Sequence, residues 1–250
     1  MQRTHQTGVG FSNMINITID KRHDPEALAK VYAETGRLQV PNFFTEETAN
    51  ALHELISTNK TWFSAYNEGD NYYEVPVASM MNMPREQKIQ FMQKVQLGAQ
   101  RGFQYFFDQY YMTEAIRNGR EAGHPLHQMH DYVNSGGFLD FMRVLTGTPE
   151  IDRSDSFASQ YLPGHFLTTH DDTHANEDRV AAYTISMTKN WNPNWGGNLM
   201  FLDETGNITG GFKPAFNTLN IFKVPQAHAV QHVAPFAGER RLSYLGWLKR

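Results

Sequence analysis

Hydrophobic and polar positions change rhythm halfway along the chain. From about residue 156, short runs rich in β-branched and aromatic residues alternate with turn clusters, the pattern of a sandwich or barrel. They predict strands near Ser156–Leu162, Phe166–His170, Val180–Thr188, Asn198–Leu202, Thr218–Val224, Ala229–Val233 and Leu242–Leu248, punctuated by Gly196-Gly197, Gly206, Gly210-Gly211 and Gly238. The first half reads as mixed and mostly helical. Asp24-Pro25-Glu26 supplies an N-cap and a proline at the first helical position, and the helix continues through Ala27–Tyr32. Arg37–Phe44 alternates and predicts one early strand. Thr45-Glu46-Glu47-Thr48 opens a second helix to about Ile56, and Ser135–Leu145 predicts another, ended by Gly147. Arg85–Tyr111 is rich in helix formers early and in aromatics late, so Gly102–Tyr111 is expected to be a buried, packing-rich segment. Asn67–Tyr73 reads as a loop able to cover a groove.

The expected architecture is mainly β with flanking helices. It is read as one domain over 1–250, with about 1–150 as helical support carrying the early strand and about 156–250 as the β-core. At 250 residues the chain fits one or two domains by the prior of about 150 residues each. It is long enough to bury a large core without disulfides or metal staples. Its net charge of −4 argues against a general nucleic-acid binder, which would carry a basic excess. The absence of cysteine excludes disulfides, cysteine-ligated zinc, iron–sulfur clusters and a thiol nucleophile. The opening MQRTHQTGVGFSNMINITID lacks the apolar core of a secretory signal, and no stretch approaches the roughly 18 apolar residues of a membrane span. The expectation is a soluble, cytoplasmic protein with neither nucleic acid nor membrane as a partner.

The most informative residues are His170-Asp171-Asp172. On a strand, His170 and Asp172 would share a face because the side-chain period is two. His228 follows after a long interval. Two imidazoles and one carboxylate on a β-scaffold match the facial triad of non-haem Fe(II) sites, which leaves positions open for cosubstrate and dioxygen. Alone, His-x-Asp is also what a surface turn looks like in a chain with eleven histidines. Arg241 adds weight. It shares a strand face with Ser243, and a guanidinium fork beside a hydroxyl makes a clamp for a carboxylate. An arginine aimed into an apolar barrel is costly unless an anion meets it. The competing reading makes Arg240 and Arg241 solvated residues near a chain end, and the alternation does turn Arg240 outward.

In order, Tyr161-Leu162-Pro163-Gly164, Phe166 through Asp172, Met187–Trp191, Gly196–Phe201, Phe216–Phe222, His228–Val233, and Arg241-Leu242-Ser243 with Gly246-Trp247 resemble the Fe(II)- and 2-oxoglutarate-dependent dioxygenases, in their prolyl-hydroxylase-like branch. The likeness spans about Ser156 to Arg250. It implies a double-stranded β-helix, or jelly roll. It implies His170, Asp172 and His228 as iron ligands and Arg241 as partner of the distal carboxylate of 2-oxoglutarate. Tyr161, Ser243 and, with a less certain register, Tyr183 are implied as further cosubstrate contacts. It also implies Fe(II), 2-oxoglutarate and dioxygen as cofactor and cosubstrates, with ascorbate as a candidate reductant. The reaction would hydroxylate a C–H bond, foremost that of a prolyl residue in a protein or peptide, as 2-oxoglutarate becomes succinate and carbon dioxide.

His232, four residues beyond His228, competes for the distal ligand position, because both would lie on one strand face. His228-Ala229-Val230 followed by Val233 looks more like the family's His-x-Val-x-x-Val pattern. Asp171 should point away from the metal, and Pro235–Glu239 should form an extended turn. Outside this pattern, His124, His127 and His130 recur at every third residue, which suits a helix start better than a second metal site. His165 and His174 are expected near the iron motif or facing substrate. Trp191 and Trp195 read as a packed loop, with an aromatic rim for a peptide as the functional alternative. Met80, Met81 and Met83 read as packing before a pliable binding surface. Two other functions compete: hydroxylation of a free amino acid or small metabolite, favoured by a closed pocket with an extra cation, and a catalytically silent β-helix used for binding. A wide groove favours the protein substrate.

Overall fold

The structure, a computed structural model, describes residues 14–250. Most of the N-terminal stretch read for a secretory signal lies outside the described residues. In chain order the elements are α1 (Pro25–Thr35), β1 (Arg37–Pro41), α2 (Glu46–Thr58), β2 (Phe63–Glu68), β3 (Asn71–Pro76), α3 (Val77–Asn82), α4 (Arg85–Arg101), β4 (Tyr105–Tyr111), α5 (Met112–Arg117), α6 (His127–Val133) and α7 (Gly136–Thr146). There follow β5 (Arg153–Ser154), β6 (Phe157–Tyr161), β7 (Phe166–His170), β8 (Arg179–Met187), β9 (Leu199–Leu202), β10 (Ile208–Phe212), β11 (Phe216–Lys223), β12 (His228–Val230) and β13 (Arg241–Lys249).

The helices begin and end where their caps dictate. The Asp24 side chain accepts from the Glu26 N–H, and Gly36 closes α1 in the left-handed region with its N–H on the Tyr32 carbonyl. Thr45 caps α2, whose buried face is Thr48, Ala49, Leu52 and Ile56. Ser135 caps α7, which ends at left-handed Gly147. The first half supplies more sheet than its pattern suggests: β2, β3 and β4 join the expected β1. The Asn67–Tyr73 stretch is the tip and second arm of a hairpin rather than a loop, turning at Gly69 (φ 58°) with Glu68 paired to Asn71. The Gly210-Gly211 pair sits inside β10, which bulges against β9 there.

All thirteen strands belong to one mostly antiparallel sheet, ordered β1-β11-β8-β13-β6-β4-β7-β12-β9-β10, with β2 and β3 extending from β4 and β5 pairing β13. It curls into a nearly closed, jelly-roll-like barrel flanked by helices. β4 is the joint. Its Asp108–Tyr111 end pairs β6 and its Tyr105–Phe106 end pairs β7, so it links a large wall to a small one. The large wall's outer face carries Ile185, Met187, Leu219, Ile221, Leu242 and Tyr244. These share one core with Leu52, Ile56, Phe138 and Met142 from the helices. That packing leaves the inner face free to line a cavity. No described helix is long and apolar enough to cross a membrane.

Candidate metal centre

One cluster of metal-capable side chains occurs among the described residues: His170, Asp172 and His228, whose ligand atoms all lie within 4.8 Å of one another. Cross-strand register brings the histidines together. His228 on β12 pairs directly with His170 at the end of β7, and their rings are 4.1 Å apart. Asp172 arrives differently from the strand argument. β7 ends at His170, and Asp172 lies beyond it with φ 63°. A left-handed turn, which aspartate tolerates better than most residues, swings the carboxylate in. Its Oδ1 is 3.2 Å from His170 Nε2 and its Oδ2 3.4 Å from His228 Nε2.

The backbone sets which nitrogen each histidine presents. A carbonyl only accepts, so His170 Nδ1 donates to the Thr168 carbonyl (3.0 Å) and His228 Nδ1 to that of Gln226 (2.7 Å). With Nδ1 occupied in this way, each ring turns its Nε2 to the cluster and would ligate through it in the neutral form. Burial, helped by the neighbouring His170, lowers His228 to about 4. Burial alone would raise Asp172, but a hydrogen bond from His170 and the charges of the two histidines, when these are protonated, bring it to about 2. Two neutral imidazoles and one ionised carboxylate fit Fe(II) by donor chemistry. Asp171 points away, its carboxylate accepting from the Thr173 N–H. His232 lies beyond the end of β12 and stacks on Phe166 instead.

Arg241 opens β13 directly opposite Tyr161 on β6. It is 4% exposed, its guanidinium is 5.0 Å from the centre of the Tyr161 ring, and its buried Nε has no hydrogen-bond partner. No carboxylate lies within salt-bridge distance among the described residues, and burial lowers its pKa. Ser243 and Ser159 face each other across the same strand pair, and each leaves a buried hydroxyl without a partner. A buried cation and two idle hydroxyls on one inner face fit a carboxylate ligand.

Tyr183 borders the same cavity, but its hydroxyl is engaged elsewhere. Its hydroxyl donates to the Asp155 carbonyl (3.0 Å) and meets Ser154 Oγ (3.0 Å), while its ring packs on Phe138 in the helical core. The inner face of β8 presents Ala182 and Thr184 instead. Sequence reasoning missed three inner-face residues. Trp247 lines the cavity under the Arg179 guanidinium, which lies 3.8 Å from its ring centre. Phe107 stacks on Tyr161 at 4.9 Å. Gln109 lies further along β4. The last two left no signal in the sequence, because both faces of β4 are buried.

The remaining histidines do other work. His127 bonds the Tyr110 hydroxyl (2.9 Å) and His124 meets Thr61 (3.2 Å), so with His130 they form no shared centre. His165 is buried against Phe106 and Tyr161, and His174 lies at the cavity edge. Trp191 donates to the Gly196 carbonyl (2.9 Å) with Trp195 edge-on beside it, a packed loop. Met80 packs with Phe106 and Phe166, while Met81 is exposed.

The cavity holds about 1130 Å³ and runs from the cluster and Arg241 past Tyr105 and Phe107 to the β2–β3 hairpin. With this geometry in place, residues 156–249 match the sequence profile of the 2OG-Fe(II) oxygenase superfamily. A search of curated proteins finds no match. Among solved structures, a prolyl-4-hydroxylase from Pseudomonas putida superposes with a TM-score of 0.56 at 16% identity, covering 90% of this chain and 98% of that one. A prolyl hydroxylase from Trichoplax adhaerens, solved with a peptide of hypoxia inducible factor, gives 0.58 at 16% identity, covering 90% and 88%. The α-ketoglutarate-dependent epimerase SnoN of nogalamycin biosynthesis gives 0.53 at 12%, covering 90% and 83%. At these identities the likeness is one of fold.

Proposed function

We propose that this protein, whose residues 156–249 match the sequence profile of the 2OG-Fe(II) oxygenase superfamily, is an Fe(II)- and 2-oxoglutarate-dependent dioxygenase that hydroxylates a prolyl residue in a protein or peptide. The observation that carries the reading is Arg241, a buried guanidinium with no anion of its own that faces the same cavity as three convergent ligand atoms. His170, Asp172 and His228 would hold Fe(II). Arg241, helped by Ser243, would receive the distal carboxylate of 2-oxoglutarate through its planar fork, with Tyr161 as the wall beneath.

Bound together there, Fe(II) and 2-oxoglutarate would let dioxygen turn a substrate C–H into C–OH, with 2-oxoglutarate leaving as succinate and carbon dioxide. The chain's own share is positional. The carbonyls of Thr168 and Gln226 fix the imidazoles, the aromatic walls keep water out, and the cavity orients the reacting carbon. The breadth of the cavity supports a peptide over a small metabolite, as do the prolyl hydroxylases among its fold relatives.

The test is an anaerobic titration with Fe(II) and then 2-oxoglutarate, followed by the weak visible metal-to-ligand charge-transfer band. The band should need both and vanish in Asp172→Ala. In air, with ascorbate as reductant, succinate should form alongside a one-oxygen mass gain on proline peptides. Folded protein with no band and no succinate overturns the dioxygenase and leaves a binding module. Succinate coupled to a free amino acid overturns the peptide substrate.

A further inference from the structure

Beyond the metal cluster the cavity continues to a wall whose chemistry the oxidation does not use. The register β3–β2–β4 lays Glu74, Ala65 and Phe107 in one row. Ala65 is too small to fill the space between its neighbours. The Gln109 amide, 5% exposed, reaches across: its Nε2 donates to the Tyr72 hydroxyl (2.7 Å) and to Glu74 Oε1 (3.1 Å). The Glu74 carboxylate also meets the Tyr72 hydroxyl, and no cation among the described residues lies within salt-bridge distance of it. The rings of Tyr72, Tyr105 and Tyr111 stand around it, and the Tyr72 hydroxyl is pushed up by burial, by the Glu74 charge and by those two tyrosines.

The other charges on the lining are accounted for. Arg179 is tied to Glu177 (2.7 Å) and Trp247, Glu114 to Arg117 and Asn118, and Asp171 to its own turn. Arg120 faces the cavity from beyond α5, 6.0 Å from the Phe63 ring, with no carboxylate, Glu74 included, within 4 Å. Glu74 is thus a half-buried carboxylate on an aromatic-lined wall, held by Gln109 and Tyr72 and without a cation of its own among the described residues. Aromatic faces and a carboxylate both attract a cation, more strongly where water is thinned.

We infer that Glu74, with Tyr72 and Tyr111, forms a subsite for a cationic group of the substrate: a lysyl ammonium or arginyl guanidinium near the residue to be oxidised. The inference rests on the dioxygenase reading and names the substrate feature that reading leaves open. Gln109 is a positioning residue here, holding the carboxylate on the wall of the cavity.

Binding measured by calorimetry on anaerobic Fe(II)–2-oxoglutarate protein tests it. The probes are blocked alanine–proline peptides carrying one Lys, norleucine or Glu at each of three positions on either side of proline, with free lysine and arginine as a second set. Lysine should bind about tenfold tighter than norleucine at one or two positions, as a charge-assisted contact in a shielded site predicts. Glu74→Gln, which keeps the bond from Gln109, should erase that preference, and Glu74→Lys should transfer it to the Glu peptides. The same result confined to the free amino acids keeps the cation and assigns it to a small molecule. A lysine preference unchanged in Glu74→Gln, or no preference for either cationic set, overturns the subsite. The charge-transfer band separates the two failures: a band present in wild type without any cation preference sinks the subsite alone, and its absence from wild type sinks the dioxygenase.

Discussion

Arg241 is the residue on which sequence and structure meet. A guanidinium 4% exposed, stacked on Tyr161 and bonded to nothing, is a destabilising arrangement unless an anion completes it. Arg241→Lys should therefore weaken 2-oxoglutarate binding at least tenfold, because an ammonium cannot reproduce the planar fork. Titration of the charge-transfer band reads this directly, and an unchanged midpoint removes Arg241 from its role. At this scale the sequence was legible where chemistry is carried by rare residues at fixed intervals: His170, Asp172, His228 and Arg241 all face one cavity. It was not legible where a one-residue register decides. Tyr183 turns to the helical core because β8 sends its odd positions there. Glu74 and Gln109 carry no motif, since their proximity comes from the pairing of β2 with both β3 and β4.

Among elements, β4 and β12 matter most. β12 is only His228–Val230, so His232 falls outside the strand, and the face-sharing that four-residue spacing predicts never arises. His228→Ala should abolish the charge-transfer band and His232→Ala should keep it; the reverse pattern would move the distal ligand. β13 contains a close approach of backbone to backbone. A Cβ on Gly246 would lie 1.9 Å from the Asp155 carbonyl oxygen and 2.9 Å from the Tyr183 hydroxyl. Gly246→Ala should cost about 1–3 kcal/mol by overpacking, seen as a lower denaturation midpoint at an unchanged m-value. The strands of the second half were legible because turns separate them. β4 was not: both of its faces are buried, Phe106, Asp108 and Tyr110 on one and Phe107 and Gln109 on the other, so no period of two appears in the sequence. The β2–β3 hairpin did leave a signal, the Gly69-Asp70 pair between aromatic runs.

For the whole molecule, the two halves share one core: Phe43, Leu52 and Phe138 pack in the same cluster as Ile185, Leu219 and Tyr244. Far-ultraviolet and tryptophan signals should then lose structure at one temperature, and two separated transitions would show independent halves. The pH dependence of that transition follows from buried imidazoles. Burial holds His124, His127 and His165 below the ordinary value of 6.5, with Asp108 partly opposing the effect on His165, and His228, at about 4, acts in the same sense. A folded-state value below the unfolded one means that the unfolded chain binds more protons as the pH drops past 6.5. The stabilisation is complete above that value and drains away below it. The depressed carboxylates work in a separate window. Glu177, which Lys249 and Arg179 bring to about 2 against the pull of burial, and Asp172 lose their contribution only below their ordinary values of 4.5 and 3.8. Metal-free protein should therefore melt at a lower temperature at pH 5.5 than at pH 7.5, by roughly 2–4 °C for each kcal/mol lost in a chain of this size. The slope should flatten in His127→Gln, which keeps a partner for the Tyr110 hydroxyl without a titrating ring. A melting temperature indifferent to pH across this interval would mean that these histidines are protonated as readily in the fold as outside it.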